Sequence, residues 1–265
     1  MEIKEFVNQE KLNLKSKINA LKIKPTLVII QVNDDQASNT YIKGKMKDGL
    51  EVGAKVILDK QNANISELDL LNLIEKYNHD NSVHGLIVQM PLPKHINEGC
   101  VKLAINPKKD VDGFHPLSTF EACTPKGIIT YLKAQNVVIE GKNAVVIGRS
   151  NIVGKPMQKL LLKENANVTQ LHSKSKREDV EFYLAHADII VVAVGHKHFL
   201  DHSFSLKPTA VVIDVGINRD ADGLKGDCEP NLKVALQTPV PGGVGLLTRL
   251  SLFINLMEAY YGICN

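Results

Sequence analysis

Tyr41 and Lys45 stand four residues apart in a stretch free of proline. On a helix both side chains project from one face, about 40° apart around the axis. Such a pair can do proton-transfer chemistry, and it equally describes a packed tyrosine beside a solvated lysine. Two further segments end apolar runs in polar residues: Val88-Gln89-Met90-Pro91-Leu92-Pro93 and Lys109-Asp110-Val111-Asp112-Gly113-Phe114. Ligands sit beyond the carboxyl ends of parallel strands, which places Gln89 where a ligand would be. Asp112-Gly113 also has the composition of a simple turn. Asp110 with Asp112 would suit a divalent cation, but two carboxylates lack the further ligands such an ion needs.

A second group of residues has the makings of a dinucleotide site. Gly148-Arg149-Ser150-Asn151-Ile152-Val153-Gly154-Lys155-Pro156 is a turn of small residues, through which backbone N–H groups can approach a pyrophosphate at a helix N-terminus. Ser150 stands where the second glycine of G-x-G-x-x-G would be, and Gly154 comes one residue late. The following segment, His172-Ser173-Lys174-Ser175-Lys176-Arg177, holds no carboxylate for a ribose 2′-hydroxyl. Its hydroxyls and cations, with Arg149, suit a 2′-phosphate, which favours NADP over NAD, although a basic loop can also be solvated surface. Later, Thr238-Pro239-Val240-Pro241-Gly242-Gly243-Val244-Gly245 sets rigid prolines beside permissive glycines. That loop lets backbone come close to a flat ligand or closes a tight connection. His196, His198, Asp201 and His202 follow Gly195 and read as polar loop residues, so no metal is expected.

The elements that must position these residues alternate along the chain. An amphipathic helix carries Ile3, Phe6, Val7, Leu14, Ile18 and Leu21 on one face and ends before Pro25. Then come a buried strand over Thr26–Val32, a helix over Asn39–Val52 stopped by Gly53, and a short strand over Lys55–Leu58. Ser66 with Asp69 opens a helix that leads to a strand at Gly85–Val88, giving β-α-β-α-β. A second series has strands at Asn143–Ile147, Asn167–Leu171, Asp188–Val194 and Ala210–Val215, with a helix implied by Met157 and Leu160–Leu162. Continuous apolar strands indicate parallel sheets covered on both faces. The fold class is therefore α/β, with two α/β domains facing across a cleft and the second Rossmann-like. The seam falls near Glu121–Ala134, and the last helix, about Thr248–Tyr261, packs back on the first domain.

Composition excludes several other classes. The chain has 265 residues, 32 Lys+Arg against 29 Asp+Glu, and 44% hydrophobic residues. At roughly 150 residues per domain this allows one large domain or two modest ones with ample core. A net charge of +3 argues against a basic nucleic-acid module and against global disorder. The longest strongly apolar runs are strand-length, short of the ~20 residues of a membrane span. The amino terminus shows no secretory pattern, so a cytoplasmic protein is expected. The four cysteines, Cys100, Cys123, Cys228 and Cys264, form no Cys-x-x-Cys pair, which argues against a zinc ribbon or disulfide scaffold.

Taken in order, the motifs carry a resemblance. Tyr41-x-x-x-Lys45, Val88-Gln89-Met90-Pro91-Leu92-Pro93, Asp110-Val111-Asp112-Gly113-Phe114, Cys123-Thr124-Pro125-x-Gly127, Gly148-Arg149-Ser150-x-x-Val153-Gly154-x-Pro156, Asp214-Val215-Gly216-Ile217-Asn218 and Pro239-Val240-Pro241-Gly242-Gly243-Val244-Gly245 occur in that sequence. Together they resemble the bifunctional methylenetetrahydrofolate dehydrogenase/methenyltetrahydrofolate cyclohydrolase family, over about Pro25 to Thr248. The resemblance implies NADP-dependent oxidation of 5,10-methylenetetrahydrofolate to the 5,10-methenyl cation, then hydrolysis to 10-formyltetrahydrofolate. It implies a folate and catalytic domain over 1–120, with the helix 248–265 packing back, and an NADP-binding domain over 121–247.

By the same carry-over Lys45 is the principal catalytic residue, Tyr41 stacks on the folate, Gln89 tunes Lys45 and Asp112 holds the pterin. Val88, Met90, Pro241, Gly242, Gly243 and Gly245 would contact substrate, and Gly148, Arg149, Ser150, Ser173 and Ile217 would contact NADP. The implied partners are tetrahydrofolate derivatives and a second copy of the chain in a homodimer, with no nucleic acid or membrane, and the implied setting is one-carbon metabolism feeding purine biosynthesis. Hydride transfer needs chiefly positioning, whereas hydrolysis needs a proton acceptor, which a lysine becomes if its pKa falls from ~10.4 toward neutrality.

Three departures from the family pattern carry expectations. His115–Cys123 is several residues shorter than the usual segment, which would alter the cleft. Leu246-Leu247 stand where Pro-Met usually precedes Thr248, which would loosen the start of the last helix. A shortened helix is expected after Gly226-Asp227-Cys228-Glu229-Pro230. Two alternative functions follow: a dehydrogenase with weak or no cyclohydrolase activity, and a non-catalytic NADP-binding protein, since fold alone does not fix function.

Overall fold

The computed structural model describes residues 1–264. The elements run α1 (Ile3–Asn19), β1 (Thr26–Gln31), α2 (Gln36–Val52), β2 (Lys55–Lys60), α3 (Glu67–His79), β3 (Gly85–Val88), α4 (Glu98–Ala104), α5 (Cys123–Ala134), β4 (Asn143–Ile147) and α6 (Gly154–Lys163). They continue with β5 (Asn167–Leu171), α7 (Arg177–His186), β6 (Ile189–Val192), β7 (Val211–Asp214), β8 (Asn218–Asp220), β9 (Gly223–Lys225), β10 (Leu236–Gln237) and α8 (Val244–Cys264). Two units separate. The first comprises Asn8–Cys123 and the chain from Arg249 onward; the second comprises Thr124–Thr248 and Met1–Val7.

In the first unit three parallel strands take the order β2-β1-β3, with Leu27 opposite Val56 and Gly85. The central strand β1 is buried along its whole length, as its unbroken apolar sequence requires. Val28, Ile30, Leu70, Ile74, Leu86, Val88 and Val101 form the core between β1, β3 and the helices α3 and α4. Helix α2 starts three residues earlier than Asn39 because Asp35 caps it, accepting from the backbone N–H of Ser38. Ser66 caps α3 by accepting from Asp69 N–H, as its sequence suggests. The apolar helix α8 buries Leu252, Phe253, Leu256 and Met257. Gly85 lets it approach β3, since a Cβ there would lie 2.8 Å from Leu256 and 2.9 Å from Val111.

In the second unit five parallel strands take the order β10-β7-β6-β4-β5. Alternate residues of each strand enter separate cores: Val146, Val191 and Ile213 pack with Leu132, Met157 and Leu161, whereas Val145, Ile190 and Val212 pack with Leu171, Leu184 and Leu200. This is a doubly wound, Rossmann-like sheet whose strand order reverses between β4 and β6, the position at which such sheets take ligands.

Three expectations are corrected. Met1–Val7 group with the second unit instead of the first, because Tyr131 Oη and Gln135 Nε2 donate to Met1 O and Phe6 packs on the Tyr131 ring at 5.6 Å. The seam expected near Glu121–Ala134 falls between Cys123 and Thr124, at the start of helix α5. Helix α8 begins at Val244, not Thr248, and Leu246-Leu247 leave that start formed: Leu247 is fully buried beside Gly127, and Thr248 Oγ1 donates to Val244 O at 3.1 Å. No helix follows Pro230; Leu232 N–H donates to Gln237 Oε1 and Gln237 Nε2 to Glu229 O, so a side-chain amide closes the segment as a turn. Asn265, the last residue of the expected terminal helix, lies outside the described residues.

Candidate active site

Helix α2 carries the first group. Tyr41 and Lys45 share one face, Tyr41 over a third exposed and Lys45 only 9% exposed. A buried amine requires a hydrogen-bond partner. Lys45 Nζ donates to Gln89 Oε1 at 3.2 Å. Gln89 is itself fixed beyond β3, its N–H donating to Ile30 O at 2.9 Å and its Nε2 to Met90 O at 2.9 Å. Burial pushes the Tyr41 hydroxyl above its ordinary pKa, and the Arg249 guanidinium pulls against that rise. One turn beyond Lys45, buried Asp48 accepts from both Lys11 Nζ and Arg249 Nε, tying α2 to α1 and α8.

Asp112 lies in the irregular segment between α4 and α5. It lines a small, largely apolar pocket with Val88, Met90, Lys102, Phe114 and His115. The neighbouring Asp110 has a different task. It is 3% exposed and accepts from His115 N–H at 2.7 Å, and burial pushes its carboxyl up despite that bond. Among the described residues no three His, Cys, Asp or Glu side chains converge as a metal site.

The second group surrounds the carboxyl ends of β4, β6 and β7. Gly148 has φ +117°, and a Cβ there would lie 2.2 Å from Ala193 O. A Cβ on Gly154 would lie 2.2 Å from Gly148 O. Only glycine fits at either position, and the resulting turn brings backbone to the start of α6 as a pyrophosphate cradle requires. Ser150 braces the turn, its Oγ accepting from the N–H groups of Val153 (3.1 Å) and Gly154 (3.3 Å). Arg149 and Ser173 are exposed at this edge. Arg177, in contrast, pairs with Glu181 at 2.6 Å and lies 4.0 Å over the Phe204 ring. These observations fit a dinucleotide phosphate.

Ile217, half exposed, follows a loop organised by two buried carboxylates. Asp214 accepts from the N–H groups of Gly216, Asp227 and Cys228, all at 2.9 Å. Asp227 accepts from Val194 N–H, Gly195 N–H and Asn218 Nδ2. Pro241, Gly242 and Gly243 precede α8, and Gly245 lies in its first turn. The structure thus gathers Lys45, Gln89, Val88, Met90 and Asp112 in the first unit. Gly148, Arg149, Ser150, Ser173, Ile217 and the Pro241–Gly245 turn fall in the second.

Two family models match almost the whole chain: the tetrahydrofolate dehydrogenase/cyclohydrolase catalytic domain over residues 1–112, and the NAD(P)-binding domain of the same enzymes over residues 122–262. The chain belongs to the tetrahydrofolate dehydrogenase/cyclohydrolase family. It is 47% identical, over 252 residues, to the bifunctional protein FolD of Streptococcus pyogenes, covering 89% of this chain and 88% of that one. Among solved structures, the bifunctional FolD of Campylobacter jejuni matches with a TM-score of 0.94 and 41% identity, over 98% of this chain and 97% of the other. The Trypanosoma brucei methylenetetrahydrofolate dehydrogenase-cyclohydrolase, solved with NADP and an inhibitor, matches at 0.92 and 28% identity, over 99% of this chain and 97% of the other.

For a tetrahydrofolate dehydrogenase/cyclohydrolase, several supporting residues had escaped the sequence reading. Phe114 and His115 were signalled only by their place after Asp112, and Lys102 by nothing local. Asp48, Asp227 and Asn255 act through partners distant in the sequence.

Proposed function

We propose that this chain catalyses the NADP-dependent oxidation of 5,10-methylenetetrahydrofolate to 5,10-methenyltetrahydrofolate and the hydrolysis of that product to 10-formyltetrahydrofolate. The observation that carries the reading is a buried lysine, Lys45, held by Gln89 at the carboxyl end of a parallel strand, in a chain that matches both domains of the family.

Each residue then has a task. Asp112 accepts the paired N–H donors of the pterin, a geometry suited to a carboxylate. Tyr41 stacks on the folate, while Val88, Met90, Pro241, Gly242, Gly243 and Gly245 supply further substrate contacts. NADP, when bound, supplies the hydride acceptor. Gly148 and Gly154 admit its pyrophosphate, Ser150 and Ile217 bound its site, and Arg149 and Ser173 hold the 2′-phosphate. In hydrolysis, water adds to the methenyl carbon and Lys45 accepts a proton from it; the hydroxyl of the resulting carbinolamine then gives up its proton as C=O forms, the bond from that carbon to the pterin ring nitrogen breaks with protonation of that nitrogen, and the formyl group stays on the exocyclic nitrogen. Gln89 Oε1 aims the amine. The first unit is the folate and catalytic domain, and the second unit the NADP domain.

The wider setting follows from the same reading: a homodimer built through the NADP domain, whose α7 exposes Phe182 and Tyr183, acting in the cytoplasm and supplying one-carbon units for purine biosynthesis. Among the described residues no helix is long and apolar enough to cross a membrane. The test mixes purified protein with 5,10-methylenetetrahydrofolate and NADP and follows NADPH and the methenyl chromophore together, against a spontaneous-hydrolysis control. NADPH outrunning methenyl accumulation is the expected result. Equal accumulation would remove the hydrolytic half, and no NADPH would remove the dehydrogenase.

A further inference from the structure

Asp112 is placed by a segment with no strand or helix of its own, so something else must fix its course. The two feet of that segment meet. Cys123 N–H donates to Asp112 O at 3.2 Å, and Cys123 Sγ donates to Val111 O at 3.2 Å. Gly113, at φ +75°, brings the turn so close that a Cβ would lie 2.7 Å from Ala122 N. Into this junction, from α8, comes Asn255, which is fully buried. Its Nδ2 donates to Val111 O at 2.8 Å and to Glu121 O at 3.0 Å.

An asparagine inside a helix is a poor helix former, and a buried amide is costly unless bonded. Here one nitrogen with two N–H donors meets two carbonyls ten residues apart in the chain, one on each foot. We infer that Asn255 is a positioning residue for the folate: its amide bridges both ends of the Asp112 loop and sets where the Asp112 carboxylate stands. The inference rests on the reading of Asp112 as the pterin anchor. It assigns a substrate-side role to a helix residue far along the chain, and it explains how a short loop keeps one course. Val111 is the residue immediately before Asp112, so a loosened foot moves the carboxylate directly. Gln89 and Lys45 are held by bonds of their own and should keep their places when the amide is lost.

The experiment compares the full-length protein with Asn255→Ser, Asn255→Leu and, in parallel, Asp112→Asn. Steady-state kinetics are taken separately for 5,10-methylenetetrahydrofolate and NADP. Asn255→Ser is expected to raise the folate KM about tenfold, the size of one buried hydrogen bond, with kcat and the NADP KM within about twofold. Amide exchange at Gly113 and Cys123 should accelerate while β1 and β3 stay protected. If Asn255→Leu does not fold, the Ser variant and its exchange pattern decide. An unchanged folate KM in Asn255→Ser, or a fall in kcat alone, overturns the inference when Asp112→Asn raises that KM. An Asp112→Asn variant with normal folate KM instead removes the anchor reading, and the inference falls with it.

Discussion

The turn from Gly148 to Gly154 and the loop from Asp112 to Cys123 are both irregular, and the proposed function gives each a ligand, yet they are held in opposite ways. The first is held by itself: two glycines without room for a Cβ, and Ser150 bonded to backbone N–H groups at the start of the helix four residues later. The second is held from outside, by Asn255 on a helix more than a hundred residues away and by Cys123 at the start of another. A self-held turn is legible in a short window of sequence and fails as a unit. An externally held loop hides its support and can lose function while its own residues stay intact.

That contrast predicts where damage shows. The largest effect is expected for Lys45→Met, which leaves the backbone untouched but removes the proton acceptor. Cyclohydrolase activity should fall by at least about 100-fold, the usual scale for a lost acid–base group, with little change in melting temperature. Retention of near-normal hydrolysis by the purified variant would break the assignment. Gly148→Ala should do the reverse, damaging stability and cofactor binding together. A Cβ 2.2 Å from Ala193 O at φ +117° costs on the order of 3 kcal/mol, and calorimetry should show a drop of roughly 6–12 °C alongside lost NADP affinity.

Ser150→Ala sharpens the same side of the comparison with a smaller effect. It removes the side-chain bonds to the N–H groups of Val153 and Gly154 and should cost about 1 kcal/mol, read in chemical denaturation as a lower midpoint at unchanged slope.

The smallest effect concerns pH and the first unit alone. Burial, helped by Lys109, holds His84 below its ordinary 6.5. The unfolded chain therefore takes up a proton below pH 6.5 while the folded histidine stays neutral, so stability is lost as pH falls through that window and is fully present above it. His84→Gln should flatten the decline between about pH 7.5 and 5.5. A parallel decline in both proteins would show that His84 contributes nothing to it.

Much of the architecture was legible beforehand. The continuous apolar runs of β1, β4, β6 and β7 announced buried parallel strands, and Ser66 with Asp69 announced the start of α3. Boundaries failed where a support came from a residue outside the apolar pattern, as when Asp35 drew the start of α2 back from Asn39. The short strands β8, β9 and β10 carry too few residues to make a pattern at all. Of the candidate site, the pair Tyr41 and Lys45 could be placed on one helix face by spacing, but its bond to Gln89 could not.

What the sequence determined by itself was whatever depends on neighbours along the chain: helix caps, strand character, the glycine turn at Gly148 and the absence of a carboxylate after β5. Those properties come from local sterics and from hydrogen bonds that close within a few residues. The tertiary structure alone decided that Lys45 meets Gln89, that Asp48 gathers Lys11 and Arg249, that Asn255 bridges Val111 and Glu121, and that Met1 meets Tyr131. Each of these contacts closes a long loop of chain. Such a closure becomes favourable only when the packing of whole sheets and helices has already brought its ends together.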